Sequence, residues 1–209
     1  MSNPSSASGN LDIKPDIALA ERLFAELLER TSDTRGVTRM SYGMGEEIAH
    51  KIIRREAKLQ GLEIGTDAAC NQYISLKGET VAPRIVIGSH LDSVPMGGNF
   101  DGAAGVLMGL SVLSGLVTAG QTPPRPVTVM AIRAEESAWF PASYIGSRAS
   151  FGRLKAQELD SVKRAGDCVS LGQAISAAGG NVKDVISGKG HWAPEELAVF
   201  LEPHIEQGP

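Results

Sequence analysis

Apolar residues in the first part of the chain recur at the spacing of a single helix face. Positions Ile17, Leu19, Ala20, Leu23, Phe24, Leu27 and Leu28 predict an amphipathic helix over 16–30. A second helix is predicted over 45–59, with Ile48, Ala49, Ile52 and Ile53 as its buried stripe and Gly61 as its stop. The period then changes. Strand-like runs at 71–76, 84–90, 127–134 and 197–204 predict the core strands, and 102–117, rich in glycine, alanine and large apolar residues, predicts a helix that packs closely on a sheet. The stretch 160–190 carries short helical patterns broken by glycines. Strands alternating with helices predict an α/β fold: a three-layer sandwich around a central, largely parallel mixed sheet.

In open α/β sheets ligands gather beyond the carboxyl ends of the strands, and three of the predicted strands end in metal-binding residue types. One runs into His90-Leu91-Asp92, another into Glu135-Glu136, and the last into Glu202-Pro203-His204. On an extended chain His90 and Asp92 project to the same face. One can bind a cation while the other orients it by accepting the remaining ring N–H. Asp101 stands in a glycine-dense run just before the third helix. A plain helix cap accounts for the aspartate but not for the glycines, which let a backbone approach closely. Two adjacent carboxylates at the end of an apolar strand repel one another unless a cation or a raised pKa relieves them. Adjacent strand residues point oppositely, so a turn is required for both to face one water. A ligand beside a general base is the arrangement a hydrolase needs. His90, Asp101, Glu136 and His204 together supply the mixed nitrogen and oxygen donors suited to zinc, manganese or cobalt.

Composition narrows the partners. With 42% hydrophobic residues in 209 the chain can bury a sizeable core. Its net charge of -4, scattered basic residues and low aromatic content give no nucleic-acid-binding surface. Every hydrophobic run is interrupted well short of the ~18 apolar residues that cross a bilayer, so no membrane partner is expected. Residues 1–11 read as a flexible polar tail without the features of a secretory signal. Two distant cysteines, Cys70 and Cys168, outside any CxxC context, suit a reducing, cytoplasmic setting. His50, within the second helix pattern, and His191, in a glycine-flanked loop, read as ordinary histidines.

The runs GSHLDSVPMGGNFDGAAGV, AEES and HIEQGP occur in that order. Together they resemble the motifs of the amidase, hydantoinase and carbamoylase family: N-carbamoyl-L-amino-acid hydrolases, beta-ureidopropionases and allantoate amidohydrolases. The resemblance spans about 12–209. It implies a metal-dependent, peptidase-like catalytic domain holding two divalent ions (Zn, Mn or Co), and a small-molecule ureido or amide substrate. By motif position, His90 and His204 would serve one metal, Glu136 the other, and Asp101 would bridge them. Glu135 would be the general base and acid, Asp92 would support His90, and Gln207 would face substrate. Family members are about twice as long, so the resemblance implies that this chain is the N-terminal part of the catalytic domain and inactive alone. The lid through which the full-length protein forms a homodimer, and the final metal ligand, would lie elsewhere. One departure stands out: the glutamates are followed by Ser137-Ala138-Trp139-Phe140 where the family commonly has glycine and, two positions on, arginine. The alternatives are a non-catalytic metal-binding module, against which the retained Glu135 argues, and an aminoacylase or peptidase of the same architecture, against which HIEQGP argues.

Overall fold

The computed structural model describes residues 13–206, so the expected tail and Gln207 fall outside the described residues. Helix α1 (Ile17–Thr31) starts where the Asp16 carboxylate accepts the Leu19 N–H at 2.9 Å. Its second carboxylate oxygen takes the Ser114 hydroxyl, fastening the helix start to a neighbouring helix. The face that α1 buries is narrower than the apolar pattern. Leu19, Leu23 and Leu27, one turn apart, are buried, whereas Ile17 and Leu28 are exposed. Helix α2 (Met44–Leu59) buries Ala49, Ile52, Ile53 and Ala57 and ends at Gly61, whose positive φ permits the reversal into β1 (Glu63–Thr66).

Strands β2 (Gln72–Leu76), β3 (Arg84–His90), β4 (Val127–Ile132) and β5 (Leu197–Leu201) complete a mixed five-stranded sheet of order β1-β2-β4-β3-β5. β1 and β2 pair antiparallel, as do β2 and β4, while β4, β3 and β5 run parallel. All six residues of β4 are buried, as its central place requires. Helix α3 (Ala103–Thr118) joins β3 to β4. With α1 and α2 it covers one sheet face, in a core that includes Leu23, Ile53, Leu107, Leu110, Ile74 and Val129. Each such leucine or isoleucine contributes roughly 1.5–3 kcal/mol through burial. The opposite face carries Tyr73, Val86, Met130 and Ile132 packed on Trp192. Four short helices, α4 (Ile145–Ser150), α5 (Ala156–Ser161), α6 (Leu171–Ala177) and α7 (Val182–Ile186), gather around Phe140 and Tyr42 in a second core beyond the end of β4. No helix among the described residues is long and apolar enough to cross a membrane.

His50 is fully buried on α2, and both its ring nitrogens lack partners. Burial first, and then the nearby Arg133 charge, hold its pKa well below the ordinary histidine value. The unfolded chain therefore takes up the proton before the folded one does. The His50 contribution to stability is full above about pH 6.5 and falls by up to roughly 1.4 kcal/mol per unit as pH drops below that value. Urea denaturation of His50→Leu at pH 7.5 and 5.5 is expected to show a smaller loss over this interval than the parent chain. An unchanged loss would contradict this assignment.

Candidate metal centre

Because β4, β3 and β5 are parallel, their carboxyl ends leave the sheet at one rim, with His90 in register with Ile132. His90 closes β3 and is buried. Its Nδ1 lies 2.9 Å from the Asp92 main-chain carbonyl, an acceptor only, so Nδ1 carries the proton and Nε2 presents a lone pair. The Asp92 carboxylate stands 3.3 Å from the same nitrogen. It does a second job that the HxD spacing did not reveal. Oδ1 accepts the Glu135 N–H and Oδ2 the Glu136 N–H, each at 3.1 Å, while the Ser41 hydroxyl donates to Oδ2. One buried aspartate thus holds both the imidazole and the peptide planes of the paired glutamates.

The turn that lets both glutamates face the site occurs at Ala134, whose φ of +50° lies in the left-handed region. Such a conformation costs a non-glycine residue on the order of 1–2 kcal/mol. Neighbouring groups impose it. Ala134 N–H donates to buried Glu46, Arg133 N–H donates to the Asn71 side chain, and the Arg133 guanidinium pairs with Glu46 and Glu47. The departure residues secure the far side of the loop: Trp139 Nε1–H donates to the Ser93 carbonyl at 2.7 Å, and Phe140 is buried against Tyr42.

Asp101 is buried, and neither of its carboxylate oxygens has a hydrogen-bond partner. It does not cap α3. The cap position is Gly102, whose φ of +59° suits glycine, and a Cβ there would lie 2.5 Å from His90 Cε1. Gly105, one turn into α3, allows the Pro203 carbonyl to pass where a Cβ would sit 2.3 Å away. That close approach brings in His204, whose Nδ1–H donates to the Ile205 carbonyl at 2.9 Å and whose Nε2 therefore also offers a lone pair. The two Nε2 atoms stand 3.3 Å apart, and Asp101 Oδ1 lies 3.7 Å from the first and 3.6 Å from the second. Metal–ligand bonds of about 2.1 Å in tetrahedral geometry place donor atoms about 3.4 Å apart. A proton shared by the two Nε2 atoms, or a divalent ion held between them and the orphaned carboxylate, relieves the facing nitrogens. These residues fit a divalent metal ion.

A second group, His90, Glu135 and Glu136, brings its donor atoms within 4.8 Å of one another. The two groups therefore share His90 as well as the rim. Burial first, then the charge of Asp101, push the Glu136 carboxyl up to about 7, and burial also raises Glu135. Burial lowers His90, but Asp92 and the surrounding carboxylates outweigh it and hold the imidazole at about 9. An apolar recess of about 260 Å³, lined by Met130, Ile132, Tyr144, Phe151 and Phe200, opens beside Glu135. His50 and His191 belong to neither donor group. His191 instead stacks on Tyr73 with ring centroids 4.0 Å apart.

The same stretch of chain decides the family. The model of peptidase family M28 matches residues 71–175, half of the sequence, from β2 through the His90, Asp101 and Glu135-Glu136 segments. The chain belongs to peptidase family M28. Within that family its likeness is to hydantoinase and carbamoylase amidases. It is 35% identical over 196 residues to the N-carbamoyl-L-amino-acid amidohydrolase of Paenarthrobacter aurescens, covering 92% of this chain and 47% of the relative. To the allantoate amidohydrolase of Escherichia coli (strain K12) it is 29% identical, covering 83% of this chain and 41% of the relative. The crystal structure of a hydantoinase/carbamoylase family amidase from Burkholderia ambifaria superposes with a TM-score of 0.82 at 30% identity, over 94% of this chain and 47% of that one. The chain spans about half the length of the curated relatives that it matches.

Proposed function

We propose that this chain carries the metal-binding part of a hydrolase that cleaves the linear amide or ureido C–N bond of N-carbamoyl amino acids or related ureido acids such as allantoate. The supporting observation is the pair of imidazole lone pairs facing one another at 3.3 Å beside a buried, partnerless aspartate. A cation held between these three groups makes that arrangement favourable. In this reading His90 and His204 would hold one divalent ion, Glu136 would help to hold a second, and the Asp101 carboxylate would serve both. Bound divalent ions supply Lewis acidity, which acidifies water and polarises a carbonyl.

The chain's own groups manage geometry and protons. Glu135, with its carboxyl raised by burial, takes a proton from the attacking water and returns it to the leaving nitrogen. Asp92 fixes the Glu135 peptide, so that this carboxylate swings from a held base. Gln207 is proposed to contact substrate. A carbamoyl substrate plus one water would give the amino acid, ammonia and carbon dioxide.

The match to a peptidase family favours one further reading, an aminopeptidase or aminoacylase acting through the same residues. The two readings separate in one experiment on the protein at the length its gene encodes. Metal content is measured, and turnover is assayed on N-carbamoyl-L-amino acids, allantoate, N-acetyl amino acids and aminoacyl p-nitroanilides. The proposal expects hydrolysis of a carbamoyl or ureido substrate by metal-loaded protein and its loss on chelation. Turnover confined to the anilides or acetyl amino acids would replace it with the second reading.

A further inference from the structure

Among the described residues Arg39 has the largest side chain that is fully buried. It lies on the segment between α1 and α2, which is pinned to the glycine-rich loop by paired main-chain bonds between Val37 and Gly97. Its guanidinium does not meet a carboxylate face to face, as a buried cation usually does. It meets main-chain carbonyls instead. Nε–H donates to the Leu91 carbonyl at 2.7 Å, Nη2–H to the Asp101 carbonyl at 3.0 Å, and both Nη atoms lie 3.5 Å from the Asn99 carbonyl. Its own peptide is held in turn. The N–H donates to Ser93 Oγ at 3.0 Å and the carbonyl accepts the Ser93 N–H at 2.9 Å.

These acceptors are not scattered. Leu91 lies between His90 and Asp92, and Asn99 and Asp101 belong to the loop that delivers the orphaned carboxylate. A planar, rigid fork therefore ties together two segments that approach the site from different parts of the chain. Burying the charge is unfavourable: burial is the first cause lowering the Arg39 pKa, and only the more distant Asp101, Asp92 and Glu46 charges oppose it. A purely structural tie could be made by neutral groups at less cost.

We propose that Arg39 is a positioning residue for the metal centre, fixing the His90–Asp92 segment against the Asn99–Asp101 segment so that His90 Nε2 and Asp101 Oδ1 stand at ligand spacing. This rests on the metal reading above. A cation placed behind metal ligands repels the metal, so its value lies in geometry rather than charge. Lysine separates the two effects, because it keeps the charge but cannot span three carbonyls with a planar fork.

The test is titration with Co2+, read by the visible d–d bands and by near-ultraviolet circular dichroism, on the parent chain, Arg39→Lys, Arg39→Met and the core variant Leu23→Ala. Leu23 is buried in the main core and belongs to neither donor group, and it serves as a control for lost stability. Arg39→Lys is expected to need on the order of 10- to 100-fold more Co2+ for half-saturation, the range for residues that orient ligands, and to show altered d–d bands. Arg39→Met is expected to lose at least as much. A variant unfolded without metal still reports its midpoint through the dichroism regained on cobalt addition. The inference is overturned if Arg39→Lys keeps the parent midpoint and bands, or if Leu23→Ala shifts the midpoint equally. If the parent chain takes up no cobalt, the metal reading itself fails, a result distinct from either.

Discussion

Glu135→Gln is expected to lower turnover on the best carbamoyl or ureido substrate by on the order of 10²- to 10⁴-fold, the usual contribution of a positioned general base, while leaving metal content nearly intact. The separation follows from the geometry. Glu135 stands outside the His90, Asp101 and His204 group and belongs to the other, with His90 and Glu136, its Oε2 3.8 Å from His90 Nε2, so the group that fits a tetrahedral ion keeps all its donors in the variant. Glutamine keeps the side-chain length, and its peptide N–H can still donate to Asp92, so the loop is retained. What is lost is the ability to accept a proton. Turnover of the variant and its metal content by elemental analysis check this together. Full activity would show that another group moves the proton. Loss of metal in parallel with activity would make Glu135 a ligand rather than a base.

Gly102→Ala is expected to weaken metal binding far more than the same change at an open glycine of the same loop. The added Cβ would lie 2.5 Å from His90 Cε1 and Nδ1, and the φ of +59° adds on the order of 1–2 kcal/mol of backbone strain. The Cβ would press on the face of an imidazole whose Nδ1 is held by Asp92, so relief requires moving a ligand or the start of α3. Metal affinity should fall beyond the roughly 10- to 100-fold seen when only a ligand's support is removed. Gly98→Ala is the matched control, since a Cβ there meets nothing within 4 Å. Its stability should change by no more than about 0.5 kcal/mol, with metal affinity unaltered. Calorimetric titration and thermal melts of both variants decide the point. Equal behaviour of the two would mean that the approach of Gly102 to His90 is not real.

Much of this centre was legible in the sequence because parallel strands end together. With 84–90 and 127–134 as strands of one largely parallel sheet, His90 and Glu135-Glu136 are expected at one rim; β3 and β4 pair in parallel, and β5 brings His204 to the same place. The ends of the strands were less legible. β5 stops at Leu201 rather than continuing to His204, because Pro203 has no N–H to give a ladder. β4 stops at Ile132 because the Arg133 N–H turns to Asn71. β1 escaped detection. Four half-exposed residues, Glu63-Ile64-Gly65-Thr66, carry no apolar alternation, and only their pairing with β2 defines them.

The supporting residues were invisible for another reason. Ser41, Glu46, Asn71 and Arg39 act through contacts to residues distant in sequence, and a lone serine or arginine has no spacing that betrays such partners. The left-handed Ala134 was foreseeable only as a requirement, that one of two adjacent glutamates must turn. Trp139 and Phe140 anchor the turn to Ser93 and to the second core.

The most direct test is where a metal binds. Crystals of the chain grown with Zn2+ or Mn2+ should give an anomalous difference peak enclosed by His90 Nε2, Asp101 Oδ1 and His204 Nε2, with any second peak on the side of Glu136. Peaks only at surface carboxylates, or a His204 imidazole turned away from His90 with metal in excess, would contradict the account.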